Sequence, residues 1–216
     1  MAEALIDTDV LYKTVTYGLI SHLIHIRPYG VERYSMLGAA QFMLSKRLTK
    51  KPPSRGVDLA LSEFRAAVAQ CISVLEPTDA EISMAAELEY VARQLDVALD
   101  SGESLLSAIL LHRDCNYIFT GDKRAIVAVG TLLSNNPELG LSGKIVCLEQ
   151  LFMQMLQHDA EFVRSAVCSA PSVDKALSNC FSCHAQTSHI ESWVEGLTSY
   201  IESLNQQAPL VLANTV

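Results

Sequence analysis

The chain has 216 residues, half of them hydrophobic and 19% charged, with 16 Lys and Arg against 24 Asp and Glu and a formal net charge of -8. This composition excludes a disordered chain, and the acidic balance excludes the broadly basic surface that drives tight non-specific nucleic-acid binding, leaving only a local basic patch open. No run of 18 or more apolar residues occurs, and carboxylates interrupt the opening residues 1–7, so neither a membrane span nor a signal peptide is expected; the expectation is a cytoplasmic protein with reduced cysteines.

In chain order, Ala4-Leu5-Ile6 predicts a first strand ending at Asp7. A helix is expected from about Val10 to Ile26, stopped by Pro28 and Gly30, and a second over Val31 to Lys46. Residues 45–55 contain Pro52 and Pro53 and read as a basic loop. Val57, Leu61, Phe64, Val68 and Cys71 fall on one buried helix face. A second strand is expected over residues 71–75. Thr78 with Glu81 then makes a capping box, in which each side chain satisfies a free N–H of the first turn, and the helix runs to about Ala98. Asp100 with Glu103 opens a helix from Ser101 to about His112. A third strand, 116–120, ends at Gly121-Asp122, and a helix follows to about Ser134. A fourth strand spans 143–147, with a helix after it. Past His158 the strand signals stop, and residues 159–216 are expected to be helical with breaks near Pro171 and 185–189. The alternation predicts an α/β fold: a three-layer domain over 1–158 with a parallel sheet of four or five strands, and a helical C-terminal extension over 159–216.

In an open parallel sheet, ligands bind beyond the carboxyl ends of the strands. Asp7 ends the first strand, Asp122 ends the third, and Glu103 opens the helix leading into the third. These acids, with Asp9 nearby, are expected to face one crevice. Carboxylates held together repel one another unless a cation neutralises them, and Mg²⁺ or Mn²⁺ takes oxygen ligands of this kind. Such an ion activates water against a phosphate ester. Lys46, Arg47, Lys50 and Lys51, with Lys123 beside Asp122, are the candidate phosphate contacts.

Ala4-Leu5-Ile6-Asp7-Thr8-Asp9-Val10-Leu11 resembles the opening of PIN domains, a strand followed by Asp-Thr-Asn/Asp. Leu99-Asp100-Ser101-Gly102-Glu103 resembles the Gly-Glu helix start of some branches of that family, and Ile118-Phe119-Thr120-Gly121-Asp122 resembles its strand ending in Thr-x-Asp. The resemblance covers roughly residues 3 to 130. It implies a metal-dependent ribonuclease fold, often met as the toxin of a toxin–antitoxin pair, with Asp7, Glu103 and Asp122 as catalytic metal ligands, Asp9 nearby as a further metal ligand, and RNA as substrate. The family usually has a glutamate in a helix before the midpoint; here the matching stretch offers Gln41. That departure supports a second reading, a catalytically weak PIN-like interaction or regulatory module.

Other signals carry less. Asp7-Thr8-Asp9 also resembles the Asp-x-Asp nucleophile motif of haloacid-dehalogenase-like phosphatases, but Val10-Leu11 replaces the usual Gly-Thr. Cys180-Phe181-Ser182-Cys183-His184 has the haem-attachment spacing, yet no export signal accompanies it and no second Cys pair completes a zinc site, so neither haem nor zinc is expected. Trp193 and Tyr200, seven residues apart, are candidates for self-association or partner binding through the C-terminal helices.

Overall fold

The computed structural model describes residues 2–185 and 187–214; Gln186, Thr215 and Val216, which the expected C-terminal extension includes, lie outside the described residues. Five strands form one parallel sheet in the order β3-β2-β1-β4-β5: β1 (Ala2–Ile6), β2 (Val31–Leu37), β3 (Ile72–Leu75), β4 (Tyr117–Thr120) and β5 (Ile145–Cys147). Helices cover both faces, as a parallel sheet with apolar surface on each side requires. The expected α/β architecture with added C-terminal helices is the one observed.

Between β1 and β2 run α1 (Thr8–Tyr17) and α2 (Ile20–Ile26). A single helix was expected there. The chain breaks at Gly18, whose φ of 74° is a left-handed conformation that glycine adopts without a Cβ clash, and its N–H closes α1 on the Thr14 and Val15 carbonyls.

The second expected helix, Val31 to Lys46, is a correction. Its first half is the strand β2, and α3 (Gly38–Lys50) begins only after it. In Val31-Glu32-Arg33-Tyr34 the apolar residues sit three apart, as on a helix, because Glu32 and Arg33 lie at the exposed end of the strand, where two-residue alternation is not enforced. Helix α3 also runs on through the segment expected to be a basic loop and stops at Lys50, ahead of Pro52.

The remaining helices follow the expected order: α4 (Val57–Gln70), α5 (Asp79–Gln94), α6 (Ser101–His112), α7 (Lys123–Asn135), α8 (Leu148–His158), α9 (Ala160–Cys168), α10 (Lys175–Cys180) and α11 (Ile190–Gln207). The Thr78–Glu81 and Asp100–Glu103 capping boxes are both formed. Glu81 is fully buried between α5 and the end of α6, where Arg113 donates to both of its carboxylate oxygens at 2.6 and 2.8 Å.

The main core is continuous from Leu5, Ile6 and Phe119 in the sheet to Phe181, Trp193, Leu197 and Leu204 in the C-terminal helices. A smaller core joins Ala85, Leu88, Ala92, Ala108 and Leu132 among α5, α6 and α7. After α11 the chain lies along the outer edge of β5. Ile145 donates to the Val211 carbonyl, Ala213 donates to the Ile145 carbonyl, and Gln150 Nε2 donates to the Ala213 carbonyl at 2.8 Å. Thus the helices after residue 158 share the core of the sheet and cover one of its edges.

Cys168 and Cys183 are disulfide-bonded, with Cα atoms 5.0 Å apart. This corrects the expectation of reduced cysteines. The turn after α10 brings Cys183 back beside the end of α9, a proximity that the wide sequence spacing conceals. Among the described residues no helix is long and apolar enough to cross a membrane.

Candidate functional site

The sheet order reverses direction beside β1, which has β2 on one side and β4 on the other. Loops leaving two such neighbouring strands diverge to opposite faces and open a crevice. Asp7 follows β1 directly, and its N–H donates to the Phe119 carbonyl of β4 at 2.9 Å, extending the ladder by one bond. Asp122 follows β4 after Gly121. The crevice there has a volume of about 1060 Å³. Asp7, Asp9, Asp100, Glu103 and Asp122 line it, with Ile6 and Leu106 as apolar wall and Met43, Lys46, Arg47 and Lys50 along the α3 side.

Three helices begin at this crevice, and each starts with one of the acids. Asp7 caps α1, Asp100 caps α6 with Glu103 closing the box, and Asp122 caps α7. The positive ends of the three helix dipoles therefore meet where the carboxylates gather, which lowers the repulsion among them. The caps differ in quality. Asp122 accepts from the N–H of Arg124 at 2.8 Å and of Ala125 at 3.3 Å, whereas Asp7 accepts only from Asp9, at 3.4 Å.

Charge partners divide the acids into two groups. Asp9 is held by Lys13 and by Arg47, the latter at 3.0 Å, and Lys13 also reaches Asp174 at 2.8 Å. Asp122 pairs with Arg124 at 2.9 Å, but that guanidinium is 80% exposed. Asp7 and Glu103 have no ion-pair partner among the described residues.

The proton affinities follow. Burial, then the Asp9 carboxylate, pushes Asp7 up to about 6. Burial, then the hydrogen bond and charge of Asp100, raises Glu103 well above the carboxylate range, and the same hydrogen bond lowers Asp100. Burial also opposes ionisation of Asp122, but Arg124 and the two capping N–H groups outweigh it and hold Asp122 low. Lys13 is raised: desolvation works against it, and Asp9 with Asp174 overcomes that.

Of the expected site residues, Asp7, Asp9, Glu103, Asp122, Lys46, Arg47, Lys50 and Lys123 all line the crevice, and Lys51 does not. Arg47 is engaged with Asp9 and lies over the Tyr12 ring. Lys123 is engaged with the buried Glu149 at 2.8 Å and lies over the Tyr200 ring. Gln41 is absent from the lining; its carbonyl accepts from Ser45 further along α3.

Three residues of the site went unread in the sequence: Lys13, Asp174 and Arg124. Lys13 is four residues after Asp9, a signal for an intrahelical pair. Nothing in the sequence connects it to Asp174, which sits in the C-terminal region at the start of α10.

The carboxylates of Asp7 and Glu103, which have no ion-pair partner among the described residues, supply oxygen ligands of the kind a hard divalent cation takes. Among the described residues, no three His, Cys, Asp or Glu side chains are gathered closely enough to hold one as they stand. Asp122 lines the same crevice, and its charge acts on Glu103. Its ion pair with the exposed Arg124 guanidinium is of the solvent-screened kind that holds a carboxylate only weakly.

No family model, curated protein or solved structure matches the chain, so the likeness to PIN domains rests on the three motifs alone.

Proposed function

We propose that the protein is a Mg²⁺- or Mn²⁺-dependent ribonuclease of PIN type, with Asp7, Glu103 and Asp122 holding the metal. The observation that carries the reading is the pair of partly buried acids without a cation, Asp7 and Glu103, facing a third, Asp122, across one crevice at the strand ends. When bound, the metal would lower the pKa of a water for attack on the phosphodiester.

The chain's own residues supply the rest. Lys46 and Lys50 stand on the crevice rim with no carboxylate partner among the described residues and are free to meet phosphates. Asp9, balanced by Lys13 and Arg47, orients those two cations and is a poor metal ligand. Both of its carboxylate oxygens are already engaged, one by Lys13 and one by Arg47, which weighs against a haloacid-dehalogenase-like mechanism.

A second reading, an inactive interaction module, is favoured by one observation: Asp9 and Asp122 already carry cations of the chain's own. Labelled RNA incubated with Mn²⁺ tests the choice, beside the variant Asp7→Asn/Asp122→Asn. Cleavage by the wild type alone is expected; equal signals from both, or none from either, would favour the module. Millimolar Mn²⁺ should also raise the melting temperature of the wild type, because a ligand bound only by the native state stabilises it. The shift should grow between pH 6 and pH 8, since a cation competes with protons on Asp7 and Glu103. A shift of the same size at both values would count against ligation by these two acids.

A further inference from the structure

We propose that the outer face of α3 is a platform on which single-stranded RNA enters the crevice, with a base stacked on Phe42 and phosphates on Lys46 and Lys50. The proposal rests on the ribonuclease reading and adds to it a surface and a mode of recognition.

Phe42 is 79% exposed and Met43 58% exposed on a helix whose other large apolar residues, Leu44 and Leu48, are buried. Two large apolar side chains left in water on one helical turn call for an explanation. Because α3 extends to Lys50, Phe42 stands one turn before Lys46, and Met43, Lys46, Arg47 and Lys50 share one helix face. That face is continuous with the crevice, since Met43, Lys46 and Lys50 line it. An exposed aromatic next to a row of cations is the arrangement that holds single strands: a π-face for any base and positive charge for the backbone.

Charge selects the occupant. Helix α3 has no acidic residue among its 13. A second copy laid symmetrically on it would bring lysines against lysines, which repels, the nearby Asp9 carboxylate being already held by Lys13 and Arg47. A polyanion suits it. A crevice of about 1060 Å³ has room for a few nucleotides of one strand. Unpaired bases can also be splayed onto an aromatic ring, and paired ones cannot.

The test is fluorescence anisotropy of a short 5′-labelled RNA in EDTA, where no metal-dependent cleavage occurs, against the full chain and its variants. The single strand should bind more tightly than the same sequence as a duplex or as DNA. Phe42→Ala should weaken it about tenfold, leaving the salt dependence unchanged. Lys46→Ala/Lys50→Ala should lower the slope of log affinity against log salt by about 1.4, or about 0.7 for each phosphate contact on a single strand. Unchanged melting temperatures in these exposed-face variants keep folding out of the comparison. Equal or tighter binding of duplex or DNA, unchanged affinity in Phe42→Ala, or no binding at all would overturn the proposal. So would tighter capture of a polyglutamate peptide, or sedimentation of a dimer that Phe42→Ala dissociates. The two readings fail separately. Binding through Phe42 with no Mn²⁺-dependent cleavage retires the nuclease and keeps the platform; cleavage undiminished in Phe42→Ala retires the platform and keeps the nuclease.

Discussion

Asp122 receives two capping N–H groups and a guanidinium, whereas Asp7 receives one long N–H contact and faces Asp9. Capping explains Asp122 and leaves Asp7 unexplained as a folding element. Its pKa, raised from 3.8 to about 6, means that the folded chain binds the proton more tightly than the unfolded one. Stability should therefore fall as pH rises from about 4 to about 6, by up to about 3 kcal/mol from this group at about 1.4 kcal/mol per pKa unit. Asp7→Asn removes that loss. Melting curves should show the variant equal to the wild type near pH 4 and progressively more stable toward pH 6, with the gap constant above. A variant less stable at every pH would mean that the carboxylate serves the fold. The three acids were legible in the sequence because each stands where an apolar run gives way to a helix start. Lys13 was not, because an isolated lysine on a helix looks solvated, and only the tertiary approach of Asp174 buries it.

At the level of elements, α11 is held by close backbone approach. A Cβ placed on Gly196 would come within 2.9 Å of Cys180 Cα in α10, with no flexible side chain able to yield. Gly196→Ala should destabilise the protein by about 1–3 kcal/mol by urea unfolding. Gly102→Ala, in the first turn of α6, meets nothing nearer than an Asp100 oxygen at 3.4 Å and should be neutral or gain up to about 1 kcal/mol of helix propensity. Equal losses in both would show that α11 does not depend on this contact. Most elements could be read from local patterns, because caps and turn residues act within a few positions. Strand β2 could not. Its burial comes from lying between β1 and β3, a relation among distant segments, and its polar end copies a helical period. Pro52 and Pro53 placed the basic residues 46–50 in a loop, although α3 runs on to Lys50, and so hid their alignment with Phe42 and Met43.

Across the whole molecule, the C-terminal region closes both the sheet edge and the charge balance of the crevice. Residues 168–183 form a ring sealed by the disulfide, and Asp174 projects from it to Lys13. In the chain-entropy view, a closed loop of this length contributes about 3 kcal/mol. Cys168→Ser/Cys183→Ser should accordingly lower the melting temperature to the value that the wild type shows in excess dithiol, and dithiol should leave the variant unmoved. A wild type insensitive to dithiol would indicate that the bond is absent in solution. Neither the ring nor the segment lying along β5 was legible, since both depend on where C-terminal segments turn back.

The partnership of Lys13 with Asp174 has a consequence for synthesis. Domains emerge from the ribosome N-terminus first. A nascent chain that has reached α8 holds all five crevice acids and both α3 lysines, yet Lys13 still lacks its second counter-ion and β5 its outer neighbour. The acidic crevice can reach its final charge arrangement only after the last quarter of the chain has emerged and folded back against the sheet.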